Sequence, residues 1–298
     1  MTLSDAVIQT VSEQTGCAFS NIESAGTGLY NDTYFLISSE KKLVIRFAPE
    51  DDLPKLFYEI DMMKSEPEIH RKVRKETDIP VPAVVYSDFS RADINRDYIV
   101  LECMDGSPGP FSDRELGAYV RQLHSIAGDC YGYPQRKAPT GRSWPEIFAV
   151  YAELIFQDCL SCGIIDRDEY RWFMSYYTDY AAVVPECKPC LLHLDLWSQN
   201  ILTRDRRITA VIDFDRGLYG DPELEFAVLD TYGYSTPEFF NGYGSPRPAD
   251  SDALVRQRLY IVYEMIKYAF IRYARGGSRA VGRSHVSECA RIFKEIQK

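Results

Sequence analysis

No stretch of this 298-residue chain runs apolar for the roughly eighteen residues that a membrane span needs. The opening MTLSDAVIQT lacks the basic-then-apolar pattern of a secretory signal. A cytoplasmic chain with no membrane partner is therefore expected. Basic residues are in deficit: 34 Lys/Arg face 44 Asp/Glu, a formal net charge of −10, which argues against nucleic acid because phosphates demand basic stripes. Histidine is scarce, with four in all. No second His or Cys stands at ligand spacing from His70, which reads as a helix-surface or packing residue. Internal repeats and low-complexity tracts are absent too.

Composition is otherwise that of an ordinary soluble globular protein, with 45% hydrophobic and 26% charged residues. The length supports one large or two moderate cores. Eight cysteines should be mostly reduced in the cytosol. Cys159-x-x-Cys162 and Cys187-x-x-Cys190, 24 residues apart, approach zinc-ribbon spacing. Between them, however, Asp166–Ala182 carries Tyr170, Phe173 and Tyr177 at helical spacing, where a ribbon needs a short hairpin. Small buried hydrophobes are the better reading of these thiols.

The most informative stretch is LLHLDLWSQNILTRDRRITAVIDFDRG, residues 191–217. Apolar pieces (Leu191–Leu192, Ile201–Leu202, Ile208–Phe214) alternate with polar ones, giving strand, loop, strand, turn, strand. The pattern spaces His193, Asp195, Asn200 and Asp213 as one proton acceptor and two metal-binding side chains need to be spaced. Oxygen ligands of this kind suit Mg²⁺, which binds through one or two carboxylates plus substrate phosphates. A hydroxyl, a base and a metal-clamped phosphate describe phosphoryl transfer. Lone Asp and Asn residues often only satisfy turns; four at joint spacing between apolar strands carry more weight.

His193-x-Asp195-x-x-x-x-Asn200, followed by Ile212-Asp213-Phe214-Asp215 and Gly220-Asp221-Pro222-Glu223-Leu224-Glu225-Phe226-Ala227, resembles the aminoglycoside phosphotransferase/choline kinase family. The resemblance implies an α+β, bilobal protein-kinase-like fold. It implies a β-rich nucleotide-binding lobe (1–104) and a larger, mostly helical catalytic and acceptor-binding lobe (105–298). It makes Asp195 the catalytic base and Asn200 and Asp213 the Mg²⁺ ligands; His193 is expected to support the loop, and Asp215 to cap a turn rather than join the metal shell. Leu194 stands where the family usually has Gly, and Glu225 where it usually has Asp.

Upstream, the resemblance implies a nucleotide site. Ala25-Gly26-Thr27-Gly28-Leu29-Tyr30-Asn31-Asp32 sits where a loop over the phosphates belongs, Gly26 and Gly28 letting amides approach an anion. An ordinary hairpin turn would read the same way. In Lys42–Phe47, Arg46 takes the phosphate-pairing position by register, with Lys41 and Lys42 as fallbacks. Its carboxylate partner is Glu66 or Glu68 on the helix before Ile79-Pro80-Val81-Pro82. Glu102 and Met104 would offer backbone groups to an adenine edge at the end of the strand Arg96–Met104. ATP, or GTP, would be the phosphoryl donor.

Elsewhere, Ser112–Glu115 fits a capping box opening a helix with Leu116, Val120, Leu123 and Ala127 on one face. His124 in that helix reads as structural. Helices are expected over 144–161, 166–182 and 256–275, and a Tyr/Gly/Pro-rich loop over 231–250.

The chain is thus expected to phosphorylate a hydroxyl of a small molecule, first of all an antibiotic such as an aminoglycoside. The alternatives are a sugar, amino alcohol or fructosamine-type acceptor (Leu192–Trp197 resembles the ketoamine kinases at that point), or a non-catalytic nucleotide-binding module. Residues 251–298 hold ten Lys/Arg against four acids, so the preceding residues carry −16. Protein-kinase activity is disfavoured, because no APE-like segment follows Asp213. The acceptor and the oligomeric state stay open.

Overall fold

The computed structural model describes residues 5–27, 30–136 and 142–296. Two compact units emerge, and both are discontinuous in sequence. The first comprises Met1–Leu53, Asp61–Phe111 and Ser198–Asp215; the second comprises Pro54–Ile60, Ser112–Trp197 and Arg216–Lys298. A single cut after residue 104 does not describe this partition.

In the first unit, helix α1 (Asp5–Thr15) buries Val7 and Val11. It precedes β1 (Asn21–Thr27), β2 (Asp32–Ile37) and β3 (Lys42–Phe47), then helix α2 (Glu66–Glu76), β4 (Val84–Asp88) and β5 (Tyr98–Glu102). The strands form an antiparallel sheet in the order β1-β2-β3-β5-β4. Alternation in β3 sends Leu43, Ile45 and Phe47 into a core with Val7, Val11, Leu36, Tyr98 and Val100. Val44 and Arg46 take the other face, where Met63, Ile99 and Leu101 pack.

A short β6 (Ser107–Pro108) adds to the hairpin β8 (Ile201–Arg204) and β9 (Arg207–Val211) in the order β6-β8-β9. The hairpin turns through Asp205 and Arg206, both at positive φ (51° and 64°), as a two-residue I′ turn requires. Val211 N donates to Pro80 O at 2.8 Å. These bonds attach Ser198–Asp215 to the segments just before β4 and just after β5. Gly106 fits the same contact: a Cβ there would fall 2.3 Å from Thr209 Oγ1 and 3.0 Å from Thr203 O.

The second unit is mostly helical, with α3 (Asp113–His124), α4 (Trp144–Ser161), α5 (Arg167–Asp179), α6 (Pro222–Tyr232), α7 (Pro237–Tyr243), α8 (Ser251–Phe270) and α9 (Arg279–Lys294). Its β7 (Cys190–Leu192) pairs antiparallel with β10 (Leu218–Gly220). Trp144, Phe148, Tyr260 and Tyr263 form an aromatic core in which Trp144 Nε1 donates to Tyr260 Oη at 2.7 Å. α5 opens on a capping box of Asp166 and Glu169 and buries Phe173, Tyr176 and Tyr177.

Three local expectations need correction. The stretch 231–250 is not all loop. Thr236 caps α7 by accepting from Phe239 N, Pro237 starts it, and Gly244 (φ 85°) ends it. Phe239 is fully buried. α7 lies so close to α3 that a Cβ on Gly117 would sit 2.0 Å from Phe239 O, and one on Gly242 2.0 Å from Arg114 O. Second, α3 stops at His124, so Ala127 is an exposed residue bridging to Cys190 rather than part of the helical face. Third, α8 begins at Ser251 under an Asp250 cap and continues as a π-helical turn over Ile271–Arg275.

All eight cysteines are free thiols. Among the described residues no group of three or more His, Cys, Asp or Glu side chains is arranged to hold a metal ion. Among the same residues, no helix is long and apolar enough to cross a membrane.

Candidate active site

Arg46 is the centre of the charged cluster in the first unit. The β3 side chain is 6% exposed. Its Nη1 meets Glu66 Oε1 at 2.5 Å, while Nη2 meets Asp213 Oδ1 at 2.5 Å and Asp215 Oδ2 at 3.3 Å. Burial opposes the charge on Arg46, but the three carboxylates outweigh it and raise its basicity. A guanidinium can serve this many acceptors because it presents a planar fork of donors. Glu66, the first residue of α2, is fully buried, whereas Glu68 faces solvent. Between the two candidates, Glu66 is the one that pairs with Arg46.

Two residues that sequence reading left outside the site join this cluster. His70, one turn along α2, places Nε2 3.3 Å from Glu66 Oε1 and donates from Nδ1 to Pro82 O at 2.9 Å. Its ring packs edge-on against Phe214. Asn31, at the entry to β2, donates from Nδ2 to Asp215 Oδ2 at 2.9 Å. The polar identity of these two residues was the available signal; their depth was not readable.

The β8–β9 hairpin brings Asn200 and Asp213 to its open end. Ile201 pairs with Val211, and Ile212 N donates to Asn200 O at 3.0 Å. Asn200 is 6% exposed, and the Asp213 side chain is 31% exposed, with φ at 68°. One carboxylate and one carboxamide form the all-oxygen set that suits Mg²⁺ when phosphates supply further ligands. The chain therefore fits the ion through the chemistry of its donors.

Gly26 is in the left-handed region at φ 101°, and its amide donates to Ser24 Oγ at 3.2 Å. Gly28 lies outside the described residues. At the end of β5, Glu102 N donates to Ala83 O at 2.9 Å, and its side chain accepts from Ala83 N at 3.2 Å. Met104 follows two residues later, half-buried, outside the strand.

In the second unit, Asp195 follows β7 and accepts from Arg216 Nη1 at 3.0 Å, with both side chains largely buried. Its amide donates to His193 Nδ1 at 3.2 Å, so the fully buried His193 supports the turn. Leu194 takes φ 60°, a conformation that costs a non-glycine residue roughly 1–2 kcal/mol. The longer carboxylate of Glu225 compensates. From α6 it accepts His193 N at 2.5 Å and Leu194 N at 3.1 Å. Burial pushes the Glu225 carboxyl up to about 8 against the pull of these amides. The two departures from the family pattern thus meet in one contact.

Around this turn, Trp197 stacks on Tyr232 (6.2 Å between centroids), which adjoins Tyr234 (6.3 Å). Tyr232 and Tyr268 share a hydroxyl contact of 2.7 Å. Lys267 is 1% exposed and pairs with Glu264 at 2.6 Å over the Tyr263 ring. Its ammonium is lowered, chiefly by burial. His124, on α3, is half-buried, and loss of solvent pushes its imidazole down to about 3.

A probable ketoamine kinase of Synechocystis is 25% identical over 309 residues, spanning 96% of each chain. A solved Haemophilus somnus structure, provisionally assigned as a fructosamine-3-kinase, superposes with a TM-score of 0.74 at 20% identity, covering 98% of this chain and 97% of that one. A gentamicin-bound aminoglycoside phosphotransferase, APH(2")-IIa, superposes with a TM-score of 0.69 at 19% identity, covering 98% and 99%. The fold is thus the α+β protein-kinase-like one, a β-sheet N-terminal region with a helical C-terminal region. Residues 21–245 match the model of the phosphotransferase enzyme family (APH), so the chain belongs to that family and is a small-molecule kinase acting on a hydroxyl group.

Proposed function

We propose that the protein transfers the γ-phosphoryl group of ATP to a sugar hydroxyl of a ketoamine, the adduct of a reducing sugar with an amine. The observation that carries this reading is a likeness, at 25% identity, to a probable ketoamine kinase along 96% of both chains. The antibiotic acceptor expected first has weaker support: it rests on structural neighbours that share the fold. The surroundings of Asp195 agree with the ketoamine. A polycationic antibiotic calls for carboxylates beside the base, whereas here Arg216 occupies that carboxylate. The Trp197–Tyr232 stack offers a sugar ring an apolar face.

In the proposed mechanism Asp195 orients the acceptor hydroxyl and takes its proton as the oxygen attacks phosphorus. Arg216, bound to Asp195 Oδ1 at 3.0 Å, fixes the orientation of that carboxylate. Asn200 and Asp213 would hold Mg²⁺, which when bound neutralises charge on the β- and γ-phosphates. Arg46, fixed by Glu66, directs its guanidinium at the α/β-phosphates. The Glu102 carbonyl and the Met104 amide receive the adenine edge. Positioning and electrostatics supply most of the acceleration, because the phosphoryl transition state is loose.

The test is a coupled ADP-release assay with Mg²⁺ and ATP against fructosyl-lysine, ribulosyl-lysine, gentamicin and kanamycin. Turnover on the ketoamines with none on the aminoglycosides is expected. The reverse pattern would return the acceptor to the antibiotics.

A further inference from the structure

Asp215 is 4% exposed, and two of its partners, Asn31 and Arg46, lie far away in sequence. In a short helical turn (Phe214–Arg216), a carboxylate that served only the local backbone would cap that turn. Instead, Oδ2 accepts from Asn31 Nδ2 at 2.9 Å and from Arg46 Nη2 at 3.3 Å. Asn31 is itself 7% exposed, and its Oδ1 has no hydrogen-bond partner among the described residues. Asn31 immediately precedes β2, while Arg46 lies on the neighbouring β3 strand. One buried oxygen therefore joins three separate segments of the first unit: the entry to β2, the end of β3, and the turn just after Asp213.

We infer that Asp215 is a positioning residue for the nucleotide, holding Asn31 and the Arg46 guanidinium in fixed relation beside Asp213. This deepens the kinase reading and rests on Arg46 facing phosphate. The physical ground is that a guanidinium has several rotamers of similar energy. Binding a triphosphate then costs the entropy of selecting one of them unless the protein has already done so. Glu66 fixes the Nη1 side of the fork, and Asp215 shares Nη2 with Asp213. If Asp213 turns toward a cation, Asp215 keeps Nη2 from rotating away. The hydrogen bond to Asn31 in turn fixes Asp215, since a carboxylate held at Oδ2 by two donors cannot swing about its own χ angles. Asp215 contacts neither phosphate nor acceptor in this scheme and acts through Arg46 and Asn31.

The experiment measures the dissociation constant of a fluorescent ATP analogue, in Mg²⁺ and in EDTA, for the wild type and for Asp215→Asn, Asn31→Ala, Arg46→Ala and the exchanged pair Asn31→Asp/Asp215→Asn. Thermal unfolding of each is recorded in parallel. Asp215→Asn should weaken binding about tenfold in both media, the equivalent of one lost charge-assisted hydrogen bond. Asn31→Ala, which leaves the carboxylate in place, should weaken it about threefold. The exchanged pair restores a donor opposite an acceptor and should recover to within about threefold of the wild type, which a general loss of stability would not produce. Binding by Asp215→Asn within twofold of the wild type, with Arg46→Ala impaired, overturns the positioning role. So does an exchanged pair that binds no better than Asp215→Asn. Unchanged binding by Arg46→Ala instead overturns the phosphate-facing reading of Arg46 on which the proposal stands. If Asp215→Asn does not fold, Asn31→Ala and Arg46→Ala decide by the same criteria.

Discussion

Arg46 Nη2 lies 2.5 Å from Asp213 Oδ1, while Nη1 of the same guanidinium lies 2.5 Å from Glu66 Oε1. One cation spans the helix-borne acid and the hairpin-borne acid, so a residue that can make only one of these contacts is a poor substitute. Arg46→Lys should keep the charge but lose the fork, weakening ATP-analogue binding about tenfold. Arg46→Ala strands the fully buried Glu66 and should also lower unfolding stability by about 3 kcal/mol. Titration calorimetry and urea unfolding check the two effects separately. A lysine variant indistinguishable from the wild type would contradict the bridging role.

Asp195→Ala should lower kcat on a ketoamine by about 10³-fold, the range of a lost general base. Binding of the ATP analogue should stay within threefold, since the proposed contact is with the acceptor. Retained turnover with lost nucleotide binding would invert the assigned roles.

Asp213→Ala should abolish Mg²⁺-dependent turnover. Asn200→Ala, which removes an uncharged ligand, should raise the Mg²⁺ concentration needed for half-maximal rate about tenfold. A magnesium titration of initial rates distinguishes these outcomes, and either variant showing the wild-type curve would remove that residue from the metal set.

The Glu225 carboxyl is raised from its ordinary 4.5 to about 8, chiefly by burial. The folded protein therefore holds a proton that the unfolded chain releases. The resulting stability is complete below pH 4.5, wanes as pH rises, and is gone above about 8. Glu223, raised to about 7 by the same cause, adds a slope of the same sign. Glu225→Gln mimics the protonated form. Between pH 6 and 8.5 its melting temperature should fall less steeply than that of the wild type. Parallel curves would show that Glu225 ionises normally in place.

Gly117→Ala and Gly242→Ala each put a methyl group 2.0 Å from a facing carbonyl oxygen across the α3–α7 contact. Each should cost about 1–3 kcal/mol by forcing the helices apart. Gly163→Ala is a useful contrast, because its added Cβ would meet nothing within 4 Å and only the left-handed φ of 80° penalises it.

The elements that carry strong periodicity were legible in the sequence: α4 ends where its pattern ends, and β7, β8 and β9 fall on the three apolar pieces of residues 191–214. Arg46 was readable because strand alternation fixes which side chains share a face, and Glu66 as one of two candidates because burial within a helix cannot be read from glutamate spacing alone. α7 was missed because it is only seven residues long, and its cap residues, Thr236-Pro237 and Gly244, resemble those of a turn-rich loop. The contact between Asn31 and Asp215 was missed for another reason. Their contact joins positions 184 residues apart, and no local pattern carries a pairing over that separation.

Leu194 adopts a backbone angle that glycine takes freely, and Glu225 secures the two amides on either side of that peptide. The order in which this pair can mutate is therefore constrained. Shortening the acid to aspartate while leucine remains would leave a contorted turn with its anchor withdrawn, whereas installing glycine first relaxes the bend and makes the shorter acid tolerable. A lineage crossing between the two pairings should pass through glycine with glutamate, and the opposite single mutant should be the least stable of the four.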